Sequence, residues 1–374
     1  MKKQESPGFS RGEQVNAAID LFAGPGGWDI SARQLGIVVV GIEWDADTCA
    51  TRRAAGLWRT VHGDVRAFGP GNFPADGLIA SPPCPTFSSA GKGSGRRALS
   101  SVIEAARHLA TGGGLLALAI DDPDERTALV LEPLRWAIEA HADGTPYQWI
   151  ALEQVPAVLP VWEAYAEHLR SIGYSVATGI LHAEQYGVPQ MRRRAILVAR
   201  LDGAVALPAP THSRYYPRNP DRLDPGVLPW VSMAEALGWD EGVAVRSNYG
   251  TGGDPADRRV RIGSQPAWTV TSKVDRNIVY RNGNQANSAR RGIDTPAPTI
   301  HFGACMNSVE GVGDVNPTRV TVQEAATLQS FPPDYPWQGT KTAQYQQVGN
   351  AVPPLLALRV LEQATGLHAN EKAA

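Results

Sequence analysis

Between Asn16 and about Arg200, short apolar runs alternate with stretches whose apolar positions recur every three or four residues. The runs Ala17–Phe22, Ile37–Ile42, Asp76–Ala80, Trp149–Leu152, Ser175–Leu181 and Ala195–Ala199 have the length of buried strands, and a shorter one spans Thr60–Gly63. Asp124–Ala140 and Val161–Ile172 read as amphipathic helices, the second following Pro160 and stopping near Gly173. Strand and helix in steady alternation predict a parallel sheet covered on both faces, a doubly wound, Rossmann-like α/β domain.

After about Leu201 the texture turns to Gly, Pro, Asn and Arg with short β-like runs, which predicts a smaller domain of hairpins and loops over 201–318. Inside it Arg261-x4-Pro266-Ala267-x-Thr269-Val270 recurs as Arg291-x4-Pro296-Ala297-x-Thr299-Ile300, and we read this repeat as a turn-plus-strand unit used twice for structure. Helical pattern returns at Val322–Gln329 and Pro354–Thr365, so residues 319–374 are expected to rejoin the first domain of residues 1–200.

Composition narrows the class. With 43% apolar and 19% charged residues in 374, no continuous apolar stretch is long enough for a membrane span. The polar N-terminus lacks a secretory pattern, and a cytoplasmic monomer is expected. Cys49, Cys84 and Cys305 lie far apart, which argues against disulfides and a zinc site. A net charge of −2 does not suggest nucleic acid, although basic clusters stand at Arg192–Arg194, Arg258–Arg261 and Arg290–Arg291. On composition alone these are solvated faces.

Chemistry-bearing residues gather at the ends of the predicted strands. The first strand runs through Phe22 into Ala23-Gly24-Pro25-Gly26-Gly27-Trp28 and a helix, a turn that brings backbone N–H groups close to an anionic ligand. A dinucleotide fingerprint would require a third glycine at position 29, which is Asp29, so a cofactor with a single carboxylate fits better than a pyrophosphate. Glu43 ends the second strand, where a carboxylate accepts from ribose hydroxyls, with Trp44 next to it to cover an adenine face and Asp64 further on to accept from the adenine amino group. Ser81-Pro82-Pro83-Cys84-Pro85 follows the fourth strand; prolines on both sides stiffen the loop that carries Cys84.

These motifs resemble those of the cytosine-5 DNA methyltransferases. The family's nucleophile motif is matched by Pro82-Pro83-Cys84, its cofactor loop by Asp20-Leu21-Phe22-Ala23-Gly24-x-Gly26-Gly27, and its acidic cofactor contacts by Glu43-Trp44 and Gly63-Asp64. Glu153-Gln154-Val155 is similar to the Glu-Asn-Val motif, and Gln190-x-Arg192-x-Arg194 to the Gln-x-Arg-x-Arg motif. Leu328-Gln329-x-Phe331-Pro332 resembles the helix after the recognition domain, and Gly349-Asn350-Ala351-Val352-Pro353 the closing cofactor motif. Two departures stand out: Pro85 where glutamine is usual, and Gln154 where asparagine is usual, so the hydrogen bonds holding the catalytic loop are expected to be remade.

The resemblance implies S-adenosylmethionine as cofactor, bound by Phe22, Gly24, Gly26, Glu43, Trp44, Asp64, Pro82, Asn350 and Val352. It implies double-stranded DNA as partner, with no metal; a cognate restriction endonuclease beside it, protection of a viral genome and a solitary role all stay open. Cys84 is implied as the nucleophile, Glu153 as the acid at ring nitrogen 3, Arg194 as the contact to the ring carbonyl and Arg192 as the residue positioning the loop. Cytosine must leave the helix for this chemistry, and the Gly- and Arg-rich loop from Phe87 to Arg97 is the expected lid. A zinc deaminase is excluded by the lack of ligand spacing. A transfer-RNA methyltransferase of the same fold is the serious rival, and the segment 201–318 favours duplex DNA.

Overall fold

The computed structural model describes residues 16–83, 99–112, 125–239 and 318–369, with short pieces at 244–246, 260–262, 264–270 and 278–280. The chain divides into two compact units: residues 1–182, 193–210 and 351–374 in the first, residues 183–192 and 211–350 in the second.

The first unit is built on a seven-stranded sheet. Its strands are β1 (Ala17–Leu21), β2 (Val38–Glu43), β3 (Thr60–His62), β4 (Gly77–Ala80), β5 (Trp149–Gln154), β6 (Ser175–His182) and β8 (Arg193–Arg200); the two-residue β7 (Gln190–Met191) belongs to the second unit. They are ordered β3-β2-β1-β4-β5-β8-β6. Its helices are α1 (Gly27–Gln34), α2 (Ala46–Ala54), α3 (Leu99–Ala110), α4 (Glu132–Ala142), α5 (Leu159–Ser171) and, from the far end of the chain, α9 (Pro354–Thr365).

The alternation of side chains along the strands divides the core. Ile19 and Leu21, Val40 and Ile42, Leu78 and Ala80, Ile150 and Leu152, and Leu197 and Ala199 point to the side where Val102, Trp136, Val161 and Trp162 of α3, α4 and α5 close over them. Helices α1 and α9 pack against one another, and α9 reaches β5 and β8. The doubly wound expectation is borne out with one difference: β8 runs antiparallel to both β5 and β6. The segment between β6 and β8 comes back to the sheet where it left, with His182 opposite Arg193, and a parallel return would need a longer crossover connection.

Two helix starts also shift. Asp124–Ala140 was expected as one helix, yet Glu125–Leu131 is 3-10 and α4 begins at Glu132 with Pro133 in its first turn, a position where proline lacks no needed N–H. Pro160 sits likewise in the first turn of α5.

Within the second unit, strands β9 (Ala244–Arg246), β10 (Val260–Ile262), β12 (Ile278–Tyr280) and β13 (Thr318–Arg319) form an antiparallel sheet in the order β10-β9-β12-β13, while β11 (Ala267–Trp268) pairs in parallel with β7. Helices α6 (Met233–Leu237), α7 (Val322–Leu328) and α8 (Lys341–Asn350) accompany them. Thr321 and Glu324 form a reciprocal capping box at the start of α7.

Asp20, on the interior strand β1, is fully buried, and neither of its oxygens meets a hydrogen-bond donor among the described residues. Burial, reinforced by the Asp29 charge, holds its carboxyl well above the usual range against the pull of Arg52. In the unfolded chain this group titrates near pH 4; above that pH the unfolded chain is ionised while the folded one keeps its proton, so rising pH erodes stability until the folded value is passed. Asp20→Asn removes that proton. Its stability relative to wild type, from urea unfolding, is expected to climb with pH by up to about 1.4 kcal/mol per pH unit; a pH-independent difference would contradict this account of Asp20.

Candidate active site

The loop from β1 to α1 turns through Phe22 at φ 61°, Gly24 at φ 55° and Gly26 at φ 109°, a backbone path in the left-handed region that suits glycine. Gly27 lacks a side chain for a different reason. A Cβ there would lie 2.0 Å from the carbonyl oxygen of Val352, so the closing motif packs its backbone directly against the first turn of α1. No side chain caps the N-terminus of that helix, which leaves its first N–H groups for an anion.

Under the loop, Arg52 of α2 is buried and held in a paired geometry with Asp29, its two terminal nitrogens 2.8 and 2.9 Å from the carboxylate oxygens. The same guanidinium donates to the carbonyls of Ala23 and Gly24 at 3.2 Å and to Thr60 Oγ1 at 2.9 Å. Gly41 gives it room, since a Cβ there would fall 2.0 Å from Arg52 Nη2. The sequence shows Asp29 only as an absent glycine and gives no sign of Arg52, whose partners lie 8 to 29 positions away.

Glu43 accepts from the N–H of Gly24 and of Asp45, both at 2.8 Å, through different oxygens. Each carboxylate oxygen has a second lone pair, so the group retains acceptor capacity for a ligand hydroxyl. Burial pushes its carboxyl up, against the pull of the two backbone N–H groups and Arg52. Trp44 beside it is 71% exposed, an aromatic face open to a flat ring. Asp64 caps a 3-10 turn and is held by Arg66 at 2.6 Å, which lowers its pKa. These residues suit a nucleoside with an anionic tail: a glycine-lined turn at a helix start, a carboxylate with spare lone pairs and an exposed aromatic ring.

At the ends of β4 and β5 a second group forms. Gln154 donates from Nε2 to the carbonyl of Pro82 and accepts from the Val155 N–H at 2.5 Å, so one buried amide ties the Pro-Pro loop to the end of β5. Trp28 Nε1 donates to Ser81 Oγ at 2.9 Å, fixing the loop's other flank. Glu153, 4% exposed, pairs with Arg194 Nε at 2.5 Å, and Arg194 Nη1 also donates to the Arg193 carbonyl. Cys84, Pro85 and the expected lid from Phe87 to Arg97 lie outside the described residues, as do Cys305 and most of the basic clusters at 258–261 and 290–291. Cys49 is buried in α2 with its thiol pushed up to about 11 by burial, which makes it a poor nucleophile.

The remaining motif residues lie in the second unit. Arg192 is buried and donates from Nη1 to the carbonyls of Val270 and Gly349. Gln190 donates to the Leu328 carbonyl and to Gln329 Oε1 and accepts from the Val270 N–H at 2.7 Å, while Gln329 donates to the Val348 carbonyl. The first copy of the internal repeat is thus structural: Ala267 pairs with Gln190, and Thr269 Oγ1 donates to the Met191 carbonyl. Its second copy lies outside the described residues. Asn350 closes α8 and is exposed.

A family model of C-5 cytosine-specific DNA methylases matches residues 17–106 and 137–365, so it takes in both strand-end groups and the second unit's glutamine and arginine network. The chain belongs to this family of DNA cytosine-5 methyltransferases.

Among curated relatives, the type II methyltransferase M1.HphI of Haemophilus parahaemolyticus is 26% identical, over 94% of this chain and 87% of that protein. M.NgoMIV of Neisseria gonorrhoeae is 27% identical over 92% and 96%. In fold, the chain is similar to S. pombe Dnmt2, with a TM-score of 0.57 at 13% identity over 92% of this chain and 97% of that one. It is likewise similar to a Spodoptera frugiperda DNMT2 mutant, with a TM-score of 0.60 at 15% identity over 93% and 99%. No helix among the described residues is long and apolar enough to cross a membrane, and none of their acidic, histidine or cysteine groups is arranged to hold a metal.

In this methyltransferase the departure at Gln154 is accommodated by the longer side chain reaching both Val155 and Pro82. Gln154→Leu would take this partner from the buried Pro82 carbonyl and the half-buried Val155 N–H. A loss of about 1–3 kcal/mol in urea unfolding is expected, with a larger proportional fall in methylation than in cofactor binding. Breaking the Asp29–Arg52 pair by Arg52→Met is expected to cost about 3–5 kcal/mol and to weaken cofactor binding, read by thermal unfolding and equilibrium dialysis.

Proposed function

We propose that this chain methylates carbon 5 of a cytosine rotated out of duplex DNA, using S-adenosylmethionine and a transient bond from Cys84 to carbon 6 of the ring. The observation that carries the reading is the Gln154 amide, which joins the loop leading to Cys84 to the strand that carries Glu153, and the Glu153–Arg194 pair beside it.

Carbon 5 of cytosine is a poor nucleophile, and a thiolate adding at carbon 6 turns the ring into an enamine; one difficult step becomes two easier ones. As the Cys84 sulfur bonds to carbon 6, electron density moves to nitrogen 3, where Glu153 holds a proton or hydrogen bond. Arg194 keeps the Glu153 carboxyl in place through its Nε and meets the ring carbonyl with its remaining N–H groups. Arg192 fixes the end of its own segment in the second unit by donating to the Val270 and Gly349 carbonyls. Once carbon 5 carries the methyl group, its proton leaves to a base, the carbon 5–carbon 6 double bond returns and the sulfur is expelled with its electron pair.

The cofactor supplies an electrophilic methyl on a sulfonium. When the cofactor binds, Glu43 would hold the ribose hydroxyls, Trp44 would cover the adenine, Asp64 would accept from its amino group, and the α1 N-terminus behind Phe22, Gly24 and Gly26 would receive the carboxylate. Pro82, Val352 and Asn350 are the further residues that the family motifs would bring to the cofactor. Residues 201–318 read the DNA sequence, and the enzyme works in the cytoplasm as a monomer.

Duplex DNA containing 5-fluorocytosine in place of the target base is expected to form a protein adduct stable to denaturing electrophoresis when cofactor is supplied. Cys84→Ala should abolish both the adduct and methyl transfer. Glu153→Gln should lower methylation by about 10²–10⁴-fold, the usual contribution of a positioned acid or base. Methyl transfer confined to transfer RNA, or surviving Cys84→Ala, would overturn the proposal.

A further inference from the structure

A separate feature of the second unit has no part in that mechanism. Residues 211–228 leave and re-enter the unit at one point: Ser213 N–H donates to the Leu228 carbonyl at 2.7 Å and Leu228 N–H to the Thr211 carbonyl at 3.0 Å. The chain between them is a compact Ω-shaped loop. Asp224 organises it from within. Its two oxygens accept from the Arg214 N–H at 2.9 Å and the Tyr216 hydroxyl at 2.7 Å, and its own N–H donates to Ser213 Oγ at 2.8 Å.

On this frame the Tyr216 ring carries two guanidinium groups, Arg222 at 4.0 Å and Arg214 at 5.7 Å from its centroid. Arg214, Arg218 and Arg222 are all exposed, and so are Leu223 and Leu228, at 49% and 61%. A guanidinium stacked on a ring uses its face, and its N–H donors remain at the edge in the fork geometry that phosphate accepts. Stacking also restricts two long side chains before any ligand arrives, which reduces the ordering cost of binding. Asp224 is turned inward, and Asp221 is the exposed carboxylate that remains in the loop.

The position of the loop narrows the ligand. Its stem is fixed to the segment that leads into the Gln190–Arg192 motif: Thr211 and His212 donate their N–H groups to the Gln185 carbonyl at 2.9 and 3.0 Å, and Gly187, at φ 83°, leaves space for the His212 ring. Gln185 lies seven positions before Arg192.

We propose that the loop 211–228 is a preorganised clamp for the phosphate backbone of duplex DNA, with Arg214 and Arg222 presented on Tyr216 and Arg218 beside them. The clamp rests on the reading of the chain as a duplex-DNA methyltransferase and adds to it a contact surface outside the arginine clusters of the recognition segment. Phosphate contacts position a duplex without reading its bases. The loop therefore contributes affinity and salt dependence in equal measure on cognate and non-cognate DNA.

The test is duplex binding by fluorescence anisotropy across a salt series, for wild type and for a variant combining Arg214→Gln, Arg218→Gln and Arg222→Gln. The slope of log affinity against log salt is expected to fall by about 2.7, three contacts at about 0.9 each, with the same change on cognate and scrambled duplexes. The thermal midpoint should hold; if the combined variant unfolds, each single substitution is expected to lower the slope by about 0.9 and serves the same purpose. An unchanged slope in a folded variant, or a change limited to the cognate duplex, overturns the clamp. Failure of the wild-type protein to methylate any duplex would instead remove the functional reading, leaving the two outcomes distinct.

Discussion

The Arg52 guanidinium under the cofactor loop is the contact on which the rest of the first unit leans. It meets Asp29, the carbonyls of Ala23 and Gly24, and Thr60 at once, and so joins α2, α1, the β1–α1 turn and β3. A buried cation is costly to desolvate and is tolerated when every face of it finds an acceptor. That requirement fixes more than a single pair. Gly41 must lack a side chain to admit the guanidinium, Asp29 must take the place that a third glycine would have in a dinucleotide loop, and the turn is held open from below by its own carbonyls. Glu43, hydrogen-bonded to the Gly24 N–H, inherits its orientation from that turn.

A comparable economy governs the second unit. Gln190, Gln329 and Arg192 spend their polar atoms on backbone groups of segments far apart in sequence, at Val270, Leu328, Val348 and Gly349. Buried amides of this kind specify one arrangement because any slip leaves a donor or acceptor unmatched. The Gln-x-Arg-x-Arg motif thus divides its labour between the units: its first two members hold the second unit's layers together, and Arg194 stands on β8 against Glu153. The Ω-loop hangs from the same segment through Gln185.

The order of elements was legible because strands buried on both faces must be apolar throughout and helices must alternate with them, a pattern that Val38–Glu43 and Trp149–Gln154 display openly. The direction of β8 was not, since Ala195–Ala199 reads the same whichever way it runs and only its pairing with β5 and β6 decides. Helix α8 was missed because Lys341–Asn350 offers few apolar positions from which to read a period, and Gln344 and Gln347 instead donate to the carbonyls of Trp337 and Gln338 in the loop just before it. Arg52 left no trace in spacing, because Asp29 and the carbonyls of Ala23 and Gly24 are brought to it by folding, and the Tyr216 platform left none because its local contacts follow an irregular loop without a period.

By itself, the sequence determined the chemistry on offer: a thiol between prolines, a carboxylate at the end of a buried strand, glycines where backbone must approach a ligand, and motifs in the family's order. These are properties of residue type and local backbone, which neighbouring residues suffice to set. Only the tertiary structure decided which groups spend their hydrogen bonds on the frame and which keep some for a ligand. Asp29 and Gln190 went to the frame, and Glu43 retained lone pairs, because burial obliges each polar atom to find a partner and the partners come from distant parts of the chain.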